Sequence, residues 1–181
     1  MNGRRSLRCA CSGSAELAAV ELEPGLSAHG CKACDGSLLA LTDYRAWRRR
    51  TNAAVTPRDP VVFEDAPGAR SCPGCSRLMH RLRAGAQPDF RLDRCASCQV
   101  VWFDRGEWPA LVSAGHGARL DDILSDAWQR QVQADELRAT REAALREKHG
   151  DDCMNELSRI RTWLDGQPQR DELIALLRAG W

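Results

Sequence analysis

The chain has 181 residues, 28% of them charged, and its 26 basic and 25 acidic side chains give a formal net charge of +1. This balance excludes a chromatin-type or polybasic protein. No stretch approaches the roughly 18 apolar residues of a membrane span, and the basic segment 1–7 precedes no apolar run. We therefore expect no signal peptide, no membrane contact and a cytoplasmic location.

The first segment, 6–50, contains a CxC motif and then a CxxC motif. Four arginines follow them closely, and we name these the arginine cluster: Arg45, Arg48, Arg49 and Arg50. Arginine suits the forked contacts of phosphate. The same cluster also fits a solvated helix face or a surface that binds carboxylates on a protein partner.

The segment 51–70 reads as a linker. It holds Pro57, Pro60, Pro67 and Gly68, which are too many breakers for a helix or a central strand. Within it, 61–63 is apolar and predicts a short strand or a docking segment.

The segment 71–115 repeats the first one at an offset of 64 residues. The shift superposes Cys11, Cys31 and Cys34 on Cys75, Cys95 and Cys98. Cys31 follows Cys11 by 20 positions, and Cys95 follows Cys75 by the same number. Leu38 falls on Trp102 and Tyr44 on Trp108. A common spacer with matching apolar positions indicates one structural unit used twice.

The last segment, 116–181, predicts helices. A run from 121 to 148 lacks Gly and Pro, and Gly150 then separates it from a second helix that starts at Asp151 or Asp152. The second helix carries one apolar face made of Cys153, Leu157, Ile160 and Leu164. We expect Cys153 to be buried there as a small apolar residue, and a third helix to pair with the second as an antiparallel hairpin.

Eight of the nine cysteines form four close pairs, which in a reducing cytosol indicate metal ligands rather than disulfides. Zinc takes four ligands in a tetrahedron, and two cysteine turns supply four thiolates. We predict two Zn²⁺ per chain, one on each repeat. The predicted ligands are Cys9, Cys11, Cys31 and Cys34 in the first repeat, and Cys72, Cys75, Cys95 and Cys98 in the second.

Zinc binding of this kind contributes of order 10 kcal/mol of folding free energy per site. The CxC motif shortens one turn and removes backbone donors near the sulfurs, so the first site is expected to lose zinc first. His29, two positions before Cys31, is an alternative ligand at this site.

The run 72–111 resembles the bacterial zinc-finger domain family related to the transcription factor IIB zinc ribbon, whose pattern is CPxC followed by CxxCGGxWLDxGEL. Trp102, Asp104, Gly106 and Glu107 match its ending, whereas Gln99 and Val100 replace its two glycines. The first repeat is a degenerate copy. The resemblance implies short antiparallel strands around one zinc held by four cysteines. The expected fold class is thus small α+β, with two tandem zinc ribbons followed by an α-helical region.

Catalytic interpretations fit the sequence less well. Asp104 and Glu107 suit a helix cap or first turn, and no nucleophile accompanies them. We expect Trp102 to pack in the core rather than to stack on a ligand. A thiol oxidoreductase needs CxxC at a helix start in a strand-helix-strand unit, which neither repeat shows. We predict no catalytic residues and no cofactor other than zinc.

The favoured function is a non-enzymatic adapter that binds a protein partner. The alternative is a transcription-related regulator that contacts nucleic acid or RNA polymerase through the arginine cluster. Each zinc with four thiolates adds a formal −2, so two sites change the net charge from +1 to −3 and oppose binding of a polyanion.

Overall fold

The computed structural model describes residues 7–11, 15–51, 62–63 and 66–180. They form an α+β protein in which antiparallel strands carry two four-cysteine clusters and helices follow, as the sequence predicts. The chain divides into two compact units, Met1–Val132 and Gln133–Trp181. Most of the predicted linker 51–70 lies outside the described residues, so its structure stays a prediction.

Each repeat contributes three strands to one antiparallel sheet. The strands are β1 (Ala18–Glu23), β2 (Leu26–Gly30), β3 (Ser37–Ala40), β4 (His80–Arg83), β5 (Arg91–Cys95) and β6 (Val100–Phe103). Their order in the sheet is β1-β2-β3-β6-β5-β4. Because β3 and β6 pair at the centre, the two repeats share a continuous sheet.

The register at this centre relates the repeats by an approximate two-fold axis. Leu38 lies opposite Trp102, its own counterpart at the offset of 64. Since a two-fold rotation exchanges two antiparallel strands, the axis passes between these residues. The outer strand β4 is shifted by two residues from this symmetry, because His80 rather than Leu82 pairs with Arg94.

Three helices pack against one face of the sheet: α1 (Leu41–Arg50), α2 (Glu107–Ser113) and α3 (Leu120–Ile123). Side chains alternate along a strand, so Leu39 and Val101 pack with these helices while Leu38 and Trp102 pack with the cysteines. The helix-side core is aromatic at its centre, where the Phe103 and Trp108 rings meet edge to face at 5.3 Å. Both repeats are therefore needed to build this core.

The structure corrects the predicted helix 121–148. It consists of α3 and of α4 (Asp126–His149), which begins after a break at Ser125. The Ser125 hydroxyl oxygen accepts a hydrogen bond from the backbone N–H of Trp128 at 3.2 Å, which is the bond of a helix N-cap. Ser125 was thus the sequence signal for a new helix start.

The second unit contains most of α4 together with α5 (Asp151–Asp165) and α6 (Arg170–Ala179), and α5 contacts α6 after a short turn. The predicted burial of Cys153 is wrong, because this thiol is exposed. Leu157 and Ile160 on the same face are exposed as well, and Leu164 is buried. An apolar face of a helix is buried only where another element packs on it, and among the described residues Cys153 has no such cover.

None of the helices in the described part of the chain combines the length and the hydropathy that crossing a bilayer requires.

Candidate metal centres

The first metal centre, site 1, is formed by the four cysteines of the first repeat. The Cys31 turn closes through hydrogen bonds of 2.8 Å from Asp35 N–H to the Cys31 carbonyl and from Cys31 N–H to the Gly36 carbonyl. Asp35 has a left-handed φ of 54°, which turns the chain back toward β3. The Sγ atoms lie 3.7 Å apart in the pairs Cys9–Cys34 and Cys11–Cys31.

The second centre, site 2, is formed by the four cysteines of the second repeat. Its first turn closes in the same way, with hydrogen bonds of 2.8 Å from Ser76 N–H to the Cys72 carbonyl and from Cys72 N–H to the Arg77 carbonyl. Gln99, the counterpart of Asp35, has the same φ of 54°. The Sγ atoms of Cys75 and Cys95 lie 3.6 Å apart.

These distances fit zinc. A tetrahedron with Zn–S bonds of about 2.3 Å has edges of about 3.8 Å. At each centre all four sulfurs lie within 4.8 Å of one another. The closest pairs are far beyond the roughly 2.05 Å of a disulfide bond. All eight predicted ligands thus come together, in two tetracysteine clusters that fit two Zn²⁺ ions.

Backbone N–H groups surround the sulfurs. At site 2 the N–H of Gly74 lies 3.4 Å from the Cys72 sulfur, and that of Cys98 lies 3.5 Å from the Cys95 sulfur. At site 1 the Cys11 N–H lies 3.4 Å from the Cys9 sulfur. Such donors stabilise thiolate charge and orient the ligands of a metal.

The thiols differ in their environment. Burial raises the pKa of Cys9, Cys34 and Cys72, and backbone N–H groups oppose that rise. Cys75 is exposed, and a hydrogen bond from the Arg77 N–H lowers its pKa to about 7. Site 2 is therefore the more accessible of the two centres, although its motif is the regular one.

The CxC motif is compensated in the residues that follow it. In the first repeat the turn closes by a hydrogen bond from Cys9 N–H to the Ala15 carbonyl, six positions on. In the second it closes from Cys72 N–H to the Arg77 carbonyl, five positions on. The first repeat thus has one residue fewer between its cysteines and two more after them, so its hydrogen-bonded turn is one residue longer in all.

The two centres share a small core. Four of the ligands, Cys9, Cys31, Cys72 and Cys95, pack in one cluster with Leu17, Leu38, Met79 and Trp102. Trp102 has 2% of its surface exposed, which confirms the prediction that it packs in the core. A Cβ added at Gly36 would lie 2.3 Å from the Trp102 ring, so only glycine fits beside it.

The structure corrects the role of Asp104, which is not a helix cap. Its buried carboxylate accepts hydrogen bonds from the Trp102 indole N–H at 2.9 Å and from the Arg70 Nε at 2.6 Å. Glu107 lies in the first turn of α2, as predicted, and its carboxylate accepts the Asp104 N–H at 2.7 Å. Asp104 therefore links the core tryptophan to the segment before Cys72.

Sequence reasoning missed Arg70. The Asp104 carboxylate raises the pKa of this guanidinium against an opposing effect of burial, and the Cys34 and Cys9 thiols also interact with it. Arg70 thus lies at the end of the predicted linker in sequence but near the thiols of site 1 in space. No motif marks this residue, because it lies in a segment that reads as a linker.

The structure does not use His29 as a ligand. This residue lies on β2 opposite Leu38, is exposed, and is not part of either cluster. The alternative of a mixed site is therefore wrong, because the fourth ligand position of site 1 is taken by a cysteine.

The arginine cluster is partly engaged in structural contacts. The Arg45 guanidinium donates two hydrogen bonds, of 2.9 and 2.7 Å, to Asp121 and so ties α1 to α3. Arg50 donates to the carbonyls of Ala46 and Gly25, each at 3.3 Å. Arg49 is exposed and Arg48 is half-buried. The cluster is therefore a weaker anion site than four free guanidinium groups would be.

Comparison with known proteins gives no relative: no family model matches the chain, and neither do the curated proteins or the solved structures. The two tetracysteine clusters among β-strands are consistent with zinc-ribbon-like modules. The relation to the transcription factor IIB ribbon stays a prediction.

Proposed function

We propose that the protein is a non-enzymatic adapter that uses zinc-held loops and helical surfaces to bind a protein partner. The closure of both metal centres carries this proposal. Four thiolates fill the tetrahedral positions of zinc, whereas a catalytic zinc keeps one position for water or substrate. A closed centre stabilises a fold, and the activity then lies in the surfaces which that fold presents.

Exposed apolar side chains support a protein as the partner. Several lie on the two C-terminal helices: Leu157, Ile160, Trp163, Leu176 and Leu177. Large apolar and aromatic side chains of this kind provide most of the binding free energy at protein interfaces. A polyanion offers them no comparable surface.

The second candidate is a regulator that contacts nucleic acid or RNA polymerase. The exposed Arg49 beside Arg48 on α1 favours it, together with the resemblance of the second repeat to a transcription-related ribbon. Two observations weigh against it. Arg45 and Arg50 are engaged within the protein, and metallation makes the net charge negative.

A cross-linking experiment on the zinc-loaded chain in its native cell separates the two candidates. We expect nuclease-resistant cross-links to a protein, and only weak binding to DNA or RNA in solution. A salt-dependent complex with nucleic acid, micromolar or tighter at physiological salt, would overturn the proposal if Arg48→Ala with Arg49→Ala abolishes it. The matched control is Arg138→Ala with Arg141→Ala on α4, which removes the same charge elsewhere.

A further inference from the structure

A groove of about 490 Å³ lies on the helix side of the sheet in the first repeat. One wall is the edge strand β1, with Val20, and the other is the start of α2, with Trp108 and Pro109. Gly30 and Gly36 lie on its floor. The lining also includes the site 1 ligand Cys31, so the groove borders the first metal centre.

The groove is preformed. The Trp108 indole N–H donates a hydrogen bond of 3.0 Å to the buried carboxylate of Glu23, which fixes the α2 wall against the end of β1. Val20 on the opposite wall is 39% exposed although it faces the side of the sheet that carries the core. Among the described residues, Val62 and Phe63 lie against the lining residue Gly106, and the space between the walls stays open beside them.

The approximate two-fold axis shows what a filled version of this groove contains. The axis exchanges positions 64 apart, so the lining residue Gly30 corresponds to Arg94, and Trp108 and Pro109 correspond to Tyr44 and Arg45. All three of these counterparts, Arg94 from the second repeat and Tyr44 and Arg45 from α1 of the first, contact one helical segment, 120–124. The symmetry mate of the groove is thus occupied by the chain itself.

The contacts of that segment are specific. The Leu120 N–H donates to the Tyr44 hydroxyl at 3.1 Å, Arg45 binds Asp121, and the Arg94 guanidinium donates to the Leu124 carbonyl at 2.9 Å. The apolar side chains of this segment, Leu120, Ile123 and Leu124, are buried in the helix-side core.

The segment continues over the neighbouring strand edge. The Gln129 side chain accepts a hydrogen bond from the Arg83 N–H at 3.0 Å and donates one to the Arg83 carbonyl at 2.9 Å. This side chain therefore satisfies the backbone of Arg83 at the free edge of β4. The β1 edge of the first repeat makes no such contact among the described residues. Strand edges without a cover are common sites of association.

We propose that this groove binds a short amphipathic helix of a partner protein, in the manner in which its symmetry mate holds segment 120–132. The partner helix carries apolar side chains spaced like Leu120, Ile123 and Leu124. This inference rests on the adapter function and assigns that function a surface.

The test uses a labelled peptide with the sequence of residues 118–132 of this chain as the probe, and fluorescence anisotropy with the zinc-loaded full-length protein. We expect a dissociation constant of about 10–100 μM, since a short peptide must order as it binds. Val20→Asp places a charge in the groove and should weaken binding at least tenfold. The matched control Leu78→Asp, at an aliphatic residue that is 69% exposed and outside the groove, should leave it unchanged.

A second variant guards against misfolding. Pro109→Glu alters the opposite wall, and the Val20→Asp and Pro109→Glu proteins should each retain two zinc ions and the wild-type circular dichroism. If either variant loses zinc, the other decides the outcome. A probe carrying Asp at position 123 should not bind the wild-type protein.

Several results would overturn the proposal. One is no binding of the probe, and another is binding that Val20→Asp and Pro109→Glu leave unchanged. Binding that appears only after 52–61 is replaced by a Gly-Ser linker would identify that linker as the occupant. A dimer in sedimentation that Val20→Asp dissociates would identify a second copy. In all these cases a zinc-dependent protein cross-link elsewhere would leave the adapter function itself standing.

Discussion

The two repeats share one cysteine spacing but hold their metal centres in different surroundings. Site 2 has regular CxxC turns, and its Cys75 and Cys98 are exposed. Site 1 has the irregular CxC turn, yet none of its four cysteines is exposed. Asp104 and Trp102, which lie near it, come from the second repeat, and Arg70 comes from the end of the linker. The irregular motif is thus the one whose cysteines are covered by side chains from outside its own repeat.

The largest effect is expected from substitutions that remove a ligand from one metal centre at a time. Cys95→Ser removes a ligand of site 2, and with it of order 10 kcal/mol of folding free energy. Because the surroundings of site 1 belong to the second repeat, this change should reduce bound zinc from two ions to fewer than one. The matched change Cys31→Ser should leave about one zinc, at site 2. Elemental analysis of the purified variants measures both, and equal losses would contradict the dependence of site 1 on the second repeat.

A smaller effect is expected at the contact between the repeats. Gly36→Ala places a methyl group 2.3 Å from the Trp102 ring and should lower the free energy of unfolding by about 3 kcal/mol. Gly68→Ala is the control, since no atom lies within 4 Å of its added Cβ. Urea unfolding of both variants gives the difference. A Gly36→Ala protein as stable as wild type would show that Trp102 does not pack as described.

The ion pair between Arg70 and Asp104 should matter less than this contact. Arg70→Gln leaves a buried carboxylate without its charged partner and should destabilise the protein by about 2 kcal/mol. Arg45→Gln breaks an exposed pair with Asp121 and should cost about 0.5 kcal/mol or less. If the two variants unfold at the same urea concentration, Arg70 has no special role beside site 1.

The smallest expected effect is the difference in zinc affinity between the two centres. A loss of backbone donors at the CxC turn typically weakens a metal site by about tenfold or more. In a graded equilibrium with a chelator, the cysteines of site 1 should therefore become reactive to alkylation before those of site 2. Mass spectrometry identifies which cysteines are modified first. Release of site 2 before site 1 would mean that solvent exposure outweighs the backbone donors.

The metal ligands could be predicted from the sequence because their signal is local. Two cysteine turns at a shared spacing allow few arrangements, and both clusters formed as expected. The packing of Trp102 was predictable for the same reason, since an aromatic residue four positions after Cys98 lies next to its own turn.

The sequence did not predict the features that depend on distant parts of the chain. The pairing of β3 with β6 joins strands that are 64 positions apart and follows no local pattern. The contact of Arg70 with Asp104 and the groove beside Trp108 form only when these strands have paired. The prediction that Cys153 is buried was wrong for a related reason. A periodic apolar pattern predicts which residues share one face of a helix, but not whether another element covers that face.

The most direct test of the two tetrathiolate centres is zinc K-edge X-ray absorption on the purified chain, normalised to protein concentration. Two zinc ions per chain are expected, each surrounded by four sulfur atoms at about 2.3 Å. Fewer than one zinc per chain, or nitrogen and oxygen among the nearest neighbours of the metal, would contradict the account.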